Sequence, residues 1–580
     1  MRGLALLSVL ALTAITPNAS AQSISFTDQT ASSGLVATHA PTFAADDVAG
    51  GTVGDFNNDG YQDVFYLSGG ALPDRLFINN GDGTFTDQAA AWGIAASHRG
   101  SAASAADYDG DGDLDIFVNS FTGNRLYQNQ GGSFIDVAAA AGVDSDSFYG
   151  SAFGDYDLDG DLDLAVVDWN SGPMNRLFRN DGGTFTDVTT SSGVGPALTG
   201  TFGYAVRFCD MDGDRYPEIL WVGDFTTSRY FRNLGDGTFS DITTLAGVNF
   251  DDSEMGHTVA DYDRDGDFDW YVTTINTNNL YRNDGAHSYT QIAEISGVDF
   301  TGWGWGTVSA DFDHDGWVDL AATSQSSGQF LYQNVSTTVG GPLSFQFWNI
   351  GFSANASGRA LSHFDADNDG DQDLLIFPRE GPLQFYRNEL SGPNTHWLRV
   401  TLSPGTESDI APHGAGSVIT AVAGGETHVF RVDLGCNYLG QSEIPAHVGL
   451  GAENMVQTLT VDWPNGLQTV LTDVPADQTI HIEAGVAPSP DFRRGDVNND
   501  GAIDVADPIT LLANLFNGGA PPACEDAADL NDDGQINIAD PISGLAYLFS
   551  MGVLPDPGVD CGPDPTDGDG IDCADPSACP

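Results

Sequence analysis

Between residues 55 and 390 the chain alternates short apolar runs with breaks rich in glycine and aspartate. The runs IFVN (116–119), LAVVD (164–168), WYVTT (270–274) and LAATS (320–324) are too short for helices. Bounded by turn residues, they predict buried strands. Each is followed by a second signature: RLFINNGDGTF (75–85), RLYQNQGGSF (125–134), RLFRNDGGTF (176–185), RYFRNLGDGTF (229–239) or NLYRNDGAHSY (279–289). A strand, an Asn-Gly or Asp-Gly turn and an aromatic strand fit that order. A closing phrase completes the unit, as in FTDVTTSSGV (185–194) and FSDITTLAGV (239–248). The unit recurs seven times at intervals of 48 to 55 residues. Several short strands per repeat predict a β-propeller of seven blades. FTDQTASSGL (26–35) matches the closing phrase but precedes the first repeat, and would supply the strand that closes the ring with the last blade.

Every repeat opens on the pattern D-x-[D/N]-x-D-G-x-x-D. Positions 1, 3, 5 and 9 are Asp55, Asn57, Asp59 and Asp63 in the first copy and Asp107, Asp109, Asp111 and Asp115 in the second. They are Asp155, Asp157, Asp159 and Asp163 in the third, and Asp210, Asp212, Asp214 and Glu218 in a variant fourth. The fifth has Asp261, Asp263, Asp265 and Asp269, and the sixth Asp311, Asp313, Asp315 and Asp319. The seventh has Asp365, Asp367, Asp369 and Asp373. Acids this close repel and raise one another's pKa, so the pattern makes physical sense around a cation. Asp-Gly turns alone would explain one acid per copy, not four at fixed spacing. Oxygen donors without histidine or cysteine point to Ca²⁺.

Two loop types share this opening. A loop that leads into a helix closes with an acid at position 12, whereas a hairpin closes at position 9. Position 12 is Tyr66, Val118, Val166, Trp221, Val272, Ala322 and Ile376, none of which ligates through its side chain. These are therefore hairpin loops, with position 7 expected to add a backbone carbonyl at Tyr61, Asp113, Asp161, Asp267, Trp317 and Asp371. The fourth copy places Arg215 where glycine is expected, so its site is expected to be weak or empty. The repeats resemble the FG-GAP/VCBS family, whose propeller is shared with integrin α-chain heads. The resemblance covers roughly residues 24–390. An ion that locks a tight loop of mutually repelling acids is expected to be structural rather than a regulatory switch.

Beyond Asn394 the repeat period stops, and alternating strands with glycine turns follow. Gly414, Gly416, Gly435, Tyr438, Gln441, Ser442, Gly449, Leu450, Gly451, Trp463, Pro464 and Gly466 resemble the ASPIC/UnbV domain. Cys436 stands there where a small uncharged residue is expected. Further on, DVNNDGAIDVADPITLLANLF and DLNDDGQINIADPISGLAYLF are offset by 33 residues. Here position 12 is acidic, at Asp507 and Asp540. Candidate ligands are Asp496, Asn498, Asp500, Ala502 (carbonyl), Asp504 and Asp507, then Asp529, Asn531, Asp533, Gln535 (carbonyl) and Asp540. Proline follows each closing acid, at the first helical turn. Ile509, Leu512 and Phe516, repeated as Ile542, Leu545 and Phe549, predict an apolar helix face. These tandem loop–helix units resemble a type I dockerin, which implies a tether to a cohesin-like or other extracellular protein. Where that family often carries hydroxyl residues, this chain has Val505-Ala506 and Ile538-Ala539. That surface either packs within the chain or meets a different partner.

The predicted layout is a signal peptide (1–21), a propeller (22–392), an ASPIC/UnbV-like β domain (393–485), a linker (486–494), a dockerin-like domain (495–552) and a Cys/Pro/Asp-rich tail (553–580). The fold class is mainly β, with a small α-helical tandem EF-hand-like module. Arg2, the apolar run from Leu4 to Ile15 and Ala19-Ser20-Ala21 form the secretory signature. No other segment is a membrane-span candidate. Only 19 basic residues oppose 82 acids, for a net charge of −63, which excludes nucleic acid as a partner. Six cysteines suit an oxidising compartment, with disulfides expected among Cys524, Cys561, Cys573 and Cys579.

No H-E-x-x-H or G-x-S-x-G motif is present, and the eleven histidines are scattered singly as surface or packing residues. GWGWG (302–306) reads as innermost-strand packing or as an aromatic platform for sugars. RGD at 494–496 places Asp496 as a first metal ligand rather than in an adhesion site. The reading is a secreted, non-catalytic calcium-binding scaffold or adhesion protein with a protein- or glycan-binding propeller. The alternative is an enzyme or carbohydrate-binding component of an extracellular polysaccharide-degrading complex.

Overall fold

The computed structural model describes residues 24–42, 48–145, 149–169, 174–248, 253–352, 357–485, 493–498, 502–519, 521–522, 524–532, 534–550 and 554–555. The segment read as a signal peptide (1–21), most of the expected linker and nearly all of the expected tail lie outside them, as do Cys561, Cys573 and Cys579. The chain divides into two compact units, the first ending at Gly485 and the second starting at Val486.

In the first unit, seven antiparallel blades of four strands follow one another along the chain, the fifth and sixth joined where Ile275 pairs Trp303 and the first extended by Gly440–Gln441 as a parallel fifth strand. Their first strands are Gly51–Gly54, Gly100–Ala106, Ser151–Gly154, Phe202–Cys209, Glu254–Ala260, Gly302–Ala310 and Gly358–Phe364. These first strands are almost wholly buried. The third strands bury their second, third and fifth residues, the last of them an asparagine. The last blade takes its fourth strand from the N-terminal end, where Phe26–Asp28 pairs Gln384–Asn388 with Phe26 opposite Asn388. That is the closure the repeated phrase predicts.

Residues 393–485 add two further sheets to the same unit. One joins Ala446–Gly451, His396–Ser403 and Gln478–Glu483, and the other Glu426–Arg431, Val418–Ala423, Met455–Asp462 and Gln468–Pro475. One continuous hydrophobic cluster runs from Phe117, Phe153 and Leu162 of the blades to Leu398, Ile419 and Trp463. This lobe lies on the propeller face that carries the acidic hairpins. A β-carbon on Gly160 would meet Ser408 O at 2.2 Å, and one on Gly370 would meet the Trp397 ring at 2.0 Å.

The lobe also sends a segment down the propeller axis. Leu439 O accepts from Gly51 N (3.3 Å) in the first blade, and the Gln441 amide exchanges two hydrogen bonds with Ala105 in the second. Cys436 Sγ lies over Gly150 of the third, and Cys436 N donates to Val206 O of the fourth. Asn437 O sits against Gly256 of the fifth and accepts from Thr307 N of the sixth. Ser362 and His363 of the seventh bond Gln441 O, Ser442 Oγ and Glu443 N. The segment therefore plugs the ring and touches every blade. Tyr438, at φ 114° and fully buried, packs against Tyr204 and Trp305. Gly150 and Gly256 have no room for a β-carbon, and Cys436 Sγ is among the atoms that one on Gly150 would meet. Trp305 of GWGWG is consumed in this packing, stacked on Trp303.

The second unit holds helices Ala506–Asn517 and Ala539–Ser550 with a short turn of helix at Glu525–Ala528. Its core is Val497, Leu511, Ala528, Leu530 and Leu554. The predicted apolar face is not that core. Ile509 and Phe516 are 58% and 70% exposed, and Ile542 and Phe549 59% and 72%. Asp507 and Asp540 turn into their loops and set the rotation of each helix, so the buried side runs through Asp507, Pro508 and Leu511, and through Asp540, Pro541 and Gly544. Cys524 is disulfide-bonded to a partner outside the described residues. Arg494 of the RGD triplet is fully buried, its guanidinium on Asp529 O (2.6 Å) and Asp532 (3.0 Å).

Candidate metal centres

Each acidic hairpin connects the first and second strands of its blade, and the position 9 acid is the first residue of the second strand. One backbone path serves all seven. The position 6 amide donates to the position 1 carboxylate at 2.8–3.0 Å, from Gly60, Gly112, Gly160, Arg215, Gly266, Gly316 and Gly370. The position 7 amide donates to the position 5 carboxylate in every copy, for example Tyr61 N to Asp59 at 2.9 Å. Two residues per loop adopt positive φ. Position 6 is glycine apart from Arg215 (φ 80°), while position 4 is Asn58, Gly110, Leu158, Gly213, Arg264, His314 or Asn368.

This path points the side chains of positions 1, 3 and 9 inward. Donor oxygens of Asp107, Asp109 and Asp115 lie within 4.8 Å of one another, as do those of Asp155, Asp157 and Asp163. In the fifth and fourth hairpins position 5 joins positions 1 and 3, as Asp261, Asp263 and Asp265 and as Asp210, Asp212 and Asp214. Several of these oxygens are buried without a hydrogen-bond partner: Asp109 Oδ1, Asp157 Oδ1, Asp261 Oδ1, Asp269 Oδ2, Asp365 Oδ1 and Asp367 Oδ1. An orphaned buried acceptor is costly, and an oxygen-only cluster of orphaned acceptors fits a hard dication. Burial, then the neighbouring acids, push the position 9 carboxyls up, Asp63 to about 8 and Asp115 and Glu218 to about 9.

The sequence reading took the asparagine ending each third strand as part of a turn, and it does more than that. Its backbone N–H donates to the position 9 acid at 2.7–3.4 Å in all seven blades. Its side-chain Nδ2 reaches the position 2 carbonyl of the preceding blade: Asn79 to Ala366 O, Asn129 to Phe56 O, Asn180 to Tyr108 O, Asn233 to Tyr156 O, Asn283 to Met211 O, Asn334 to Tyr262 O and Asn388 to Phe312 O. Every hairpin is thus clamped to the next around the ring. Position 2 rings add apolar contact across the same seam, as with Phe56–Phe134, Tyr108–Phe185, Tyr156–Phe239 and Phe312–Phe26. The invariance of asparagine across seven internal repeats was the available signal.

In the second unit Asp507 accepts from Asn498 N (3.2 Å) and Asp504 N (2.8 Å), and Asp540 from Asn537 N (2.7 Å). Asp529 accepts from Gly534 N at 2.8 Å. Asp507, Asp529 and Asp540 are fully buried, and Asp496 nearly so. Asp500 and Asp533 lie outside the described residues.

Comparison with known proteins agrees with this order of parts. A family model of the FG-GAP-like repeat matches residues 55–118, 107–166, 157–221, 210–272 and 261–322. The ASPIC and UnbV model matches residues 405–489, and the type I dockerin domain model residues 494–541. The chain thus carries FG-GAP-like repeats, an ASPIC and UnbV domain and a type I dockerin domain, in that order. Cartilage acidic protein 1 of Homo sapiens is 28% identical, with 73% of this chain and 62% of the relative covered. Its Mus musculus counterpart is 26% identical, with 73% and 63% covered. The chain therefore spans about three fifths of the length of the curated relatives it matches. Among solved structures, an Agrocybe aegerita lectin described as recognising non-reducing terminal N-acetylglucosamine shares 17% identity at a TM-score of 0.29, over 56% of this chain and 73% of that one. No helix among the described residues is long and apolar enough to cross a membrane. The repeats and the dockerin module together support an extracellular β-propeller protein.

Proposed function

We propose that this chain is a secreted, non-catalytic scaffold whose propeller is locked by Ca²⁺ and whose C-terminal module tethers it to a partner protein. FG-GAP and type I dockerin domains are typically calcium-binding. Here positions 1, 3, 5 and 9 of the hairpins would hold the ion, with the position 7 carbonyl. In the C-terminal module Asp496, Asn498, Asp504 and Asp507, then Asp529, Asn531 and Asp540, would do so. A bound dication neutralises each loop, and the clamping asparagines then hold the neutralised loops in one ring. Binding to the folded state alone raises stability by mass action.

The observation that carries the tether is the repeated exposed stripe Val505, Ile509, Phe516 and Ile538, Ile542, Phe549. Large apolar side chains presented twice in register mark an interaction surface. A partner with an apolar groove suits it better than one built for hydroxyl contacts. Calorimetric titration of the calcium-loaded full chain with cohesin-type modules tests this. Binding abolished by Phe516→Ser with Phe549→Ser supports the tether, and no binding by the wild type overturns it.

A glycan-binding reading has one observation in its favour. On the face opposite the hairpins, Trp169 lies against Phe202 and Phe225 at 5.5 and 6.0 Å, with Trp169 and Phe225 exposed. Aromatic faces of this kind suit sugar rings. A glycan array with parallel hydrolysis assays separates the outcomes: binding without turnover supports a glycan-displaying scaffold, and released oligosaccharide makes the protein an enzyme.

A further inference from the structure

The fourth hairpin differs from its siblings in the atoms it collects. In the second, third and fifth hairpins the converging donors are carboxylates alone, but in the fourth the oxygens of Asp212 and Glu218 converge with a ring nitrogen of His287 within 4.8 Å. His287 comes from the next blade, in the turn between strands Asn279–Asn283 and Tyr289–Gln291. In the first and fourth blades the same turn position is Gly83 (φ 76°) and Gly237 (φ 79°). His287 adopts φ 56° there, a conformation in which an imidazole is a costly replacement for glycine.

The imidazole keeps only 9% of its surface accessible, and its Nε2 faces the Asp212 carboxylate, with Oδ2 at 2.8 Å. Nδ1 is 2.9 Å from the buried Tyr230 hydroxyl, which is in turn 3.2 Å from the Tyr289 hydroxyl. That chain lets Nδ1–H donate to Tyr230 while Tyr230 donates to Tyr289, leaving the Nε2 lone pair aimed at the two carboxylates. A ligating histidine is oriented in just this way, by what its other nitrogen bonds. The competing cations stand aside: Arg232 reaches Asp212 only at 3.9 Å, and the Arg215 guanidinium lies against Gly466.

We propose that Asp212, Glu218 and His287 hold a first-row transition dication of the zinc type, so that this hairpin is selective for a different metal from the others. The proposal builds on reading the hairpins as cation loops. Imidazole with two carboxylates is a donor set suited to Zn²⁺, whereas Ca²⁺ takes oxygen alone.

The test uses the full chain saturated with Ca²⁺, titrated with Zn²⁺ by calorimetry and with Co²⁺ by visible absorption, in wild type and His287→Gly. Glycine is native at this turn position in other blades, so the variant keeps the backbone path, which its melting temperature checks. The expected result is one zinc equivalent bound by wild type, weakened about tenfold or more in the variant, with calcium uptake unchanged. Zinc uptake equal in both proteins, or none in the wild type, overturns the proposal and leaves the calcium reading intact. Zinc bound at this site by a chain that takes up no calcium overturns the calcium reading and supports this one.

Discussion

The propeller hairpins and the two loops of the C-terminal unit begin with the same spaced acids and part company at the closing residue. With the acid at position 9, as in Asp63 or Asp319, the chain leaves the loop as a strand. With the acid at position 12, it leaves as a helix with Asp507 or Asp540 in its first turn, where the N-terminal dipole favours a carboxylate. The neighbours differ as well. A propeller hairpin is clamped by asparagine to the next blade, whereas each C-terminal loop leans on a core of five buried side chains. Shared ligand chemistry therefore carries different shares of the stability in the two settings.

The sharpest way to probe that contrast is metal removal. In excess chelator the helices of the C-terminal unit should melt outright, while the propeller transition only shifts to lower temperature. Calorimetry with far-ultraviolet circular dichroism on the full chain reads both, and a helical signal that survives chelation would erase the distinction. Next in size is Tyr438→Ala, which empties the tip of the plug and should cost the propeller transition roughly 3–4 kcal/mol while the C-terminal transition stays put. Asn129→Ala follows. It unclamps Phe56 O and Leu114 O, and two bonds lost at buried carbonyls should cost about 2–3 kcal/mol.

The smallest effect concerns His257, beside the plug. Its Nδ1 accepts from Trp270 Nε1 at 3.0 Å, and burial, then the charge of Arg207, hold its pKa well below the usual histidine range. The folded state keeps it neutral, so its contribution is present above about pH 6.5 and is lost as pH falls below that. The stability slope between pH 6.5 and 5.5 should differ between wild type and His257→Gln by at most about 1.4 kcal/mol. Equal slopes would show that His257 titrates as freely as in the unfolded chain.

The repeat period and the alternation of strands and turns made the blades legible, because each blade is built from contacts local in sequence. The closing strand was legible too, since FTDQT repeats a phrase. The plug was not. Gly435, Tyr438, Gln441 and Ser442 were visible as a pattern, but their partners are first strands as far as 389 residues away (Thr52 to Gln441). Nothing local encodes such a pairing. The rotation of the C-terminal helices misled for a related reason: the apolar spacing of Ile509, Leu512 and Phe516 suits a core, but Asp507, drawn into its loop, decides which side turns inward. His287 was read as one of several scattered histidines because its role depends on the blade before it.

The axial plug bears on how the molecule reaches its folded state. Two latches, Phe26 against Asn388 and Gly51 against Gly440, each join segments more than 350 residues apart. Contacts of such sequence separation form late and slowly. Individual blades can assemble as the chain emerges, but the last blade cannot close before Asn388 exists, and the plug cannot seat before Gly440 does. A chain truncated before Leu434 would keep its seven blades and lack the keystone, and should refold to a state that opens and is cleaved by protease far more readily than the complete molecule.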